Sequence, residues 1–176
     1  MQTTDQTIHV RWMIRRDMPE VVDIETCSFE FCWSNDDFIR CLRQRNCIGM
    51  VAERGDRVVG FMVYYLNKNR IHLLNFAVSP DQRRYGVGRA MVNKLTAKLS
   101  HNRRIRITLE VRETNIGAQK FFRDMGFMAV SVLRGFYNDT TEDAYLMRYR
   151  HVPSPDEVSE MFSPSNRITR ILKASE

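Results

Sequence analysis

Apolar positions along this chain switch between a period of two and a helical period, and the switches mark its elements. Residues 8–14 alternate well enough for a strand. Asp17-Met18-Pro19-Glu20 is a helix start with proline near its first turn, and Val21, Val22, Ile24, Glu25 and Phe29 continue it. Ser34-Asn35-Asp36-Asp37 opens a second helix, with Phe38, Ile39 and Leu42 at helical spacing. Residues 48–53 and 58–66 predict a hairpin around Arg54-Gly55-Asp56-Arg57, and Asn67-Lys68-Asn69 turns into a strand ending at Val78. A helix is predicted over 87–99. Ile105, Ile107, Leu109 and Val111 then alternate with Arg104, Arg106, Thr108 and Glu110, a strand with one wholly apolar face. Thr114-Asn115 caps a helix running through Met125, Gly126 ends it, and strands over 129–136 and 144–150 flank a polar turn.

Helix pair, meander, helix, strand, helix and strand pair predict one mixed α/β domain over 8–150. Residues 151–176, with Pro153, Pro155 and Pro164, read as a C-terminal extension in which Ile168, Ile171 and Leu172 make one amphipathic turn. Residues 1–7 are polar and expected to fray. The 176 residues suffice for a single real core, at an ordinary globular composition of 43% hydrophobic and 27% charged residues. No apolar run reaches membrane-spanning length and the N-terminus lacks a signal-peptide core, so a cytoplasmic setting without membrane contact is expected. Cys27, Cys32, Cys41 and Cys47 show no C-x-x-C spacing and no clustered histidine, which predicts reduced, partly buried thiols and no metal. The net charge is +6; the extension carries three cations against four anions, leaving +7 on the domain. Nucleic-acid binding could explain this charge, but no stacking motif or basic amphipathic helix accompanies it and direct nucleic-acid binding is not expected; a polyanionic cofactor and an optional ribosomal or acidic partner explain it as well.

Arg83-Arg84-Tyr85-Gly86-Val87-Gly88-Arg89 gives that charge a use. It follows the apolar strand segment Leu73-Leu74-Asn75-Phe76-Ala77-Val78 and opens a helix. A helix's first turn has unpartnered N–H groups and the positive end of the macrodipole. Two glycines would let an anion approach, and three arginines add charge, so a pyrophosphate is the natural guest. No Lys-Ser/Thr follows the second glycine, which excludes a P-loop, and a Rossmann fingerprint lacks its third glycine and its acidic residue.

This R-x-x-G-x-G loop resembles the acetyl-CoA loop of the GNAT N-acetyltransferases, and Asn75-Phe76-Ala77-Val78-Ser79-Pro80 resembles that family's splayed strand. Leu109-Glu110-Val111-Arg112 followed by Asn115, Ala118, Gly126 and Phe127 is similar to the L-E-V-R…N-x-x-A…G-F block of RimI-like ribosomal-protein-alanine N-acetyltransferases. Ile24-Glu25 with Trp33-Ser34, and Tyr137 with Glu142-Asp143-Ala144-Tyr145-Leu146-Met147, resemble their first two helices and their ending. The resemblance covers about residues 8–149. It implies the acyl-CoA N-acyltransferase fold: a mixed, mostly antiparallel sheet of six to seven strands with a V-shaped splay, flanked by about four helices. It also implies acetyl-CoA as co-substrate, no metal, and direct acetyl transfer to the N-terminal amine of a protein, a ribosomal protein among the candidates.

By the same resemblance the general base is Glu110, with His72 as the alternative, and the Val78 main-chain N–H polarises the thioester carbonyl. Cofactor contacts are implied for Phe76, Ala77, Val78, Arg83, Arg84, Tyr85, Gly86, Val87, Gly88, Arg89, Asn115 and Phe122, and acceptor contacts for Glu25, Trp33 and Tyr137. One position departs from the family pattern: Phe122 stands where relatives place a tyrosine that protonates the leaving thiolate. Water or Tyr137 remains to do so. Two other functions stay open here, a small-amine N-acetyltransferase using Glu25, Glu30, Asp36 and Asp37 as an acidic pocket, and a catalytically weakened acetyl-CoA-binding module.

Overall fold

The computed structural model describes residues 7–162. The Ile168–Leu172 turn expected in the extension lies outside them. Seven strands form one sheet: β1 (Ile8–Trp12), β2 (Cys47–Arg54), β3 (Arg57–Leu66), β4 (Arg70–Val78), β5 (Arg106–Arg112), β6 (Met128–Leu133) and β7 (Ala144–Arg150). Their spatial order is β1-β2-β3-β4-β5-β7-β6. Every pairing is antiparallel except the parallel contact of β4 with β5. Among the described residues five α-helices accompany the sheet, one more than expected: α1 (Met18–Ser28), α2 (Asn35–Leu42), α3 (Val87–Thr96), α4 (Ile116–Asp124) and α5 (Pro155–Met161). The additional helix is α5 in the extension. Ser154 caps it by accepting from the Glu157 N–H, and His101 and His151 hold the Glu157 carboxylate.

Strand alternation sorts the core into two layers. On β3, Val59, Met62 and Tyr64 pack into a cluster with α3 and α4, while Val58, Phe61 and Val63 pack into a second cluster with α1 and α2. Ile107, Leu109 and Val111 of β5 all enter the first cluster.

Three boundaries fall short of the predicted ones, each for a local reason. β1 stops at Trp12 because the Asp17 carboxylate captures the Ile14 N–H at 2.8 Å and the chain turns into a short 3-10 segment. The helix expected to run to Leu99 ends at Thr96, beyond which Lys98 and Leu99 bond three residues back. β6 ends at Leu133 because Asp143 takes the Gly135 N–H at 2.8 Å, with Gly135 in the left-handed region at φ 56°.

The register of β4 makes the cleft. β4 touches β5 only from Arg70 to His72, opposite Arg106 to Thr108. Beyond that point the two strands diverge, which is the expected splay.

Candidate active site

The loop from Arg83 to Gly86 is bent by two left-handed residues, Arg84 at φ 72° and Gly86 at φ 84°. A left-handed arginine is uncommon and costs backbone energy, which marks the turn as specified by its surroundings. Among the described residues, no main-chain N–H from Arg83 to Arg89 donates to a protein acceptor; the first helical bond runs from Ala90 N to Gly86 O. Seven adjacent donors without partners, at a helix N-terminus, form a cradle for an anion. The two glycines differ from the expectation in how they serve it. Gly86 is required for its φ. A Cβ on Gly88 would come within 3.0 Å of Phe121 Cζ, so Gly88 lets the loop helix pack against α4.

Beside this cradle lies a cavity of about 410 Å³ whose walls include Phe76, Ala77, Val78, Arg83, Arg84 and Gly88, with Asn115, Ala118 and Phe122 from across the splay. Ser79 N donates to Val59 O, so in the β3–β4 ladder the pairs Gly60–Val78 and Met62–Phe76 are the non-bonded ones. Main-chain groups of non-bonded pairs point away from the partner strand. The amides of Phe76 and Val78 therefore face the gap left by β5. Consistent with that direction, Arg83 Nε reaches Val78 O at 3.1 Å.

A second cavity, about 210 Å³, opens on the α1–α2 side and shares Phe29, Phe76, Asn115, Ala118 and Phe122 with the first. Of the two alternative bases only Glu110 lines it, and His72 stands behind in contact with Glu110. His72 Nε2 lies 3.1 Å from Glu110 Oε2, and His72 Nδ1 lies 2.8 Å from the hydroxyl of Thr108. Among the described residues, no arginine pairs with Glu110. Its neighbour Arg112 turns instead to Asp139 and Glu142 at 2.6 and 2.8 Å.

Arg112 also fixes one wall of this cavity. Its guanidinium sits 3.8 Å over the ring of Tyr137 and 5.4 Å over that of Phe31, joining the β6–β7 loop to the α1–α2 loop across the cavity mouth. Burial raises the pKa of the Tyr137 phenol, so it remains a proton donor at neutral pH. Glu25 is buried at 1% exposure and accepts from Trp33 N at 2.8 Å and from the Asn75 amide at 3.0 Å. Desolvation raises its pKa, and those two donors oppose the rise.

The loop residues divide by role. Val87 is in the core, Tyr85 is exposed and stacked by Arg54, and these two with Gly86 and Arg89 lie outside the cavity lining. Asn115 caps α4 by accepting from Ala118 N at 3.0 Å while lining both cavities. Phe122 is 5% exposed, wedged edge-on among Phe76, Phe121 and Phe127. Of the acids expected for a small-amine pocket, only Glu25 lines the cavity. Glu30 and Asp36 are exposed elsewhere, and Asp37 closes the α2 capping box with Ser34. Cys27 and Cys32 are exposed, contrary to the expected burial, whereas Cys47 is buried. Among the described residues, no three potential ligands gather to hold a metal. Sequence reasoning passed over Asn75, Thr108, Phe31 and the stacking role of Arg112, all of which depend on cross-strand register or loop closure.

Known proteins share this arrangement. The model of the acetyltransferase (GNAT) family matches residues 18–127. The [ribosomal protein bS18]-alanine N-acetyltransferase of Escherichia coli K12 is 29% identical over 133 residues, covering 74% of this chain and 89% of its own. A putative enzyme of the same description from Bacillus subtilis is 26% identical over 139 residues, covering 78% and 92%. Among solved structures, the E. coli ribosomal-protein-S18-alanine N-acetyltransferase superposes with a TM-score of 0.74 at 24% identity, over 85% of this chain and 97% of that one. Ard1 from Thermoplasma volcanium gives 0.75 at 26% identity, over 82% and 98%. With the family model spanning most of the chain and the anion cradle opening into the splay, the chain belongs to the acetyltransferase (GNAT) family and is an acetyl-CoA-dependent N-acetyltransferase.

Proposed function

We propose that this enzyme acetylates the N-terminal α-amine of a protein, in a cytoplasmic setting, with residues 8–150 as the catalytic unit and 151–176 as an extension. The observation that carries the reading is the His72–Glu110 contact, in which Glu110 lines the 210 Å³ cavity where that cavity adjoins the first through Phe76, Asn115 and Phe122. An ionised carboxylate only accepts hydrogen bonds, so the proton between the pair belongs to His72 Nε2. The Thr108 hydroxyl engages Nδ1 at 2.8 Å, so with both ring nitrogens committed His72 has no lone pair left for an incoming ammonium. Glu110 keeps one oxygen free of His72, and it is the base. His72 orients it.

An α-ammonium has a pKa near 8, so about a tenth is already neutral at pH 7 and a modest base suffices. Glu110 takes the ammonium proton directly or through one water. The amine then attacks the thioester carbonyl, whose developing charge is met by the splayed N–H of Val78. Phe76 and Ala77 line the approach, Asn115 holds the cofactor near the junction, and Arg83, Arg84 and the amides through Arg89 bind its pyrophosphate. Trp33, Tyr137 and the Glu25–Asn75 pair shape the acceptor side. With Phe122 unable to give a proton, water protonates the thiolate, whose pKa near 8.5 makes it a tolerable leaving group.

The relatives named for ribosomal protein bS18 support a ribosomal protein as acceptor. A panel of peptides bearing different free N-termini, run beside polyamines and aminoglycosides, tests the proposal through release of free CoA. Turnover confined to the peptides is expected; turnover confined to small amines, or none with any acceptor, would overturn it.

A further inference from the structure

The catalytic reading leaves the largest charge feature of the molecule unused. Segments 43–52, 57–80, 82–109 and 144–155 contain no Asp or Glu. The fold brings parts of all four to one end of the sheet, where β2, β4 and β5 begin and β3 and β7 end. Their loops are bonded in series: Leu66 N to Asn46 O at 2.8 Å, Ile105 N to Asn69 O at 3.2 Å, and His151 N to Ile105 O at 2.7 Å.

Across this end runs a register row of arginines. Arg70 is opposite Arg106, and Arg106 is opposite Arg150, so the three project from the same face of neighbouring strands. Arg148 stands two residues along from Arg150 on that face. Arg43 and Arg45 are exposed on the turn before β2, and Lys68 on the turn before β4. Arg103 and Arg104 enter from the loop before β5. Among the described residues, no carboxylate pairs with any of these cations. Glu157 of the extension is committed to His101 and His151. Arg106 Nε is buried with no hydrogen-bond partner among the described residues. Like charges side by side at strand spacing repel, and the core register holds them there regardless.

We propose that this basic pole docks the phosphate backbone of structured RNA. Charge density selects the partner. From β2 to β7 the pole spans four strand spacings, about 19 Å. An acidic peptide laid across it would be about six residues long and turn about three carboxylates toward it. A nucleic-acid duplex carries on the order of one negative charge per 1.7 Å of axis, enough to match every cation. Eight of the nine cations are arginines, whose planar guanidinium suits bidentate phosphate contact. The missing stacking motif, which in the sequence argued against nucleic acid, is needed to read bases; contacts to phosphate alone do without it, and the arginine row that makes them is assembled only by strand register. The face is that of Glu110, four residues and about 13 Å up β5 from Arg106, so RNA on the pole would hold a protein N-terminus near the cleft. The choice of RNA over DNA rests on the acceptor proposed above.

The test needs no acceptor, so it stands or falls separately from the catalytic reading. Anisotropy of a labelled 16-base-pair RNA duplex of mixed sequence is followed with the full chain between 50 and 200 mM salt. The parent is expected to give a log–log slope steeper than about −3, and Arg45→Glu/Arg70→Glu/Arg148→Glu/Arg150→Glu to bind about 100-fold more weakly with a flatter slope. The control Arg15→Glu/Lys94→Glu/Lys120→Glu/Arg123→Glu makes the same change in net charge off the pole and should lose less than about fivefold. Thermal melts certify folding, and if the pole quadruple fails to fold, Arg45→Glu/Arg150→Glu replaces it with a loss of about tenfold expected. Equal losses in pole and control variants would overturn the proposal. So would equal binding of the matching DNA duplex, or displacement of the RNA by polyglutamate at equal charge concentration.

Discussion

Replacing Glu110 and His72 singly and together tests which of them is the base. The two are 3.1 Å apart with side chains 18% and 21% exposed, close enough and dry enough that their substitutions must interact. If Glu110 is the base and His72 its orienter, Glu110→Gln should lower kcat by roughly 10³-fold, about 4 kcal/mol at 1.36 kcal/mol per decade. His72→Ala removes one hydrogen bond from the carboxylate and should cost about tenfold, roughly 1.4 kcal/mol. In the double variant there is no base left to orient. Its loss should therefore equal that of Glu110→Gln alone, near 10³ and not 10⁴, an interaction of about 1.4 kcal/mol. Single-turnover rates with an N-terminal peptide measure all four corners. The Glu110→Gln loss should also shrink as pH rises, because more acceptor amine is then already neutral. A double variant that loses the product of the single losses, or a His72→Ala loss larger than that of Glu110→Gln, would refute the assignment.

Gly88→Asp places a carboxylate at the cradle and its Cβ 3.0 Å from the Phe121 ring; acetyl-CoA affinity by calorimetry should fall at least about 100-fold while the protein still folds. Phe122→Tyr and Tyr137→Phe should both be nearly silent on kcat if water protonates the thiolate, with Tyr137→Phe raising KM because Tyr137 stacks under Arg112 at the acceptor mouth. A tenfold or larger kcat loss in Tyr137→Phe at constant KM would instead make Tyr137 the acid. Asp17, buried at 3% exposure, accepts from Arg11 at 2.7 and 2.9 Å and from Ile14 N at 2.8 Å, so Asp17→Ala should cost about 3 kcal/mol and lower Tm by about 6–12 °C. The Arg11 guanidinium holds the Asp17 carboxyl below its usual range, so this stabilisation is present above the unfolded value near 3.9 and is lost as pH falls through the folded one. Urea melts from pH 7 to pH 2 should show the parent losing stability below about pH 4 and Asp17→Ala losing less there.

The sequence by itself determined the elements of residues 8–150 to within a few residues at their ends, because each rests on interactions within a few residues. Pro19 near the start of α1, the Ser34–Asp37 capping box, Asn115 on Ala118 and the left-handed Gly126 are local devices, and all lie where the residues placed them. The anion cradle was legible for the same reason: a strand, a basic turn, two glycines and a helix are contiguous in the chain. Even so, the need for Gly88 came from Phe121, thirty-three residues on. What the tertiary structure alone decided depends on register between distant strands. His72 and Glu110 read as rival bases in sequence, and only the pairing of β4 with β5 over three residues puts them in one hydrogen-bonded chain with Thr108. The same short pairing opens the splay and turns the Phe76 and Val78 amides into it. Arg70, Arg106 and Arg150 are likewise unremarkable members of three segments until two registers align them. A strand's own pattern fixes which face each side chain takes, but its position along a neighbour is set by the packing of the whole sheet.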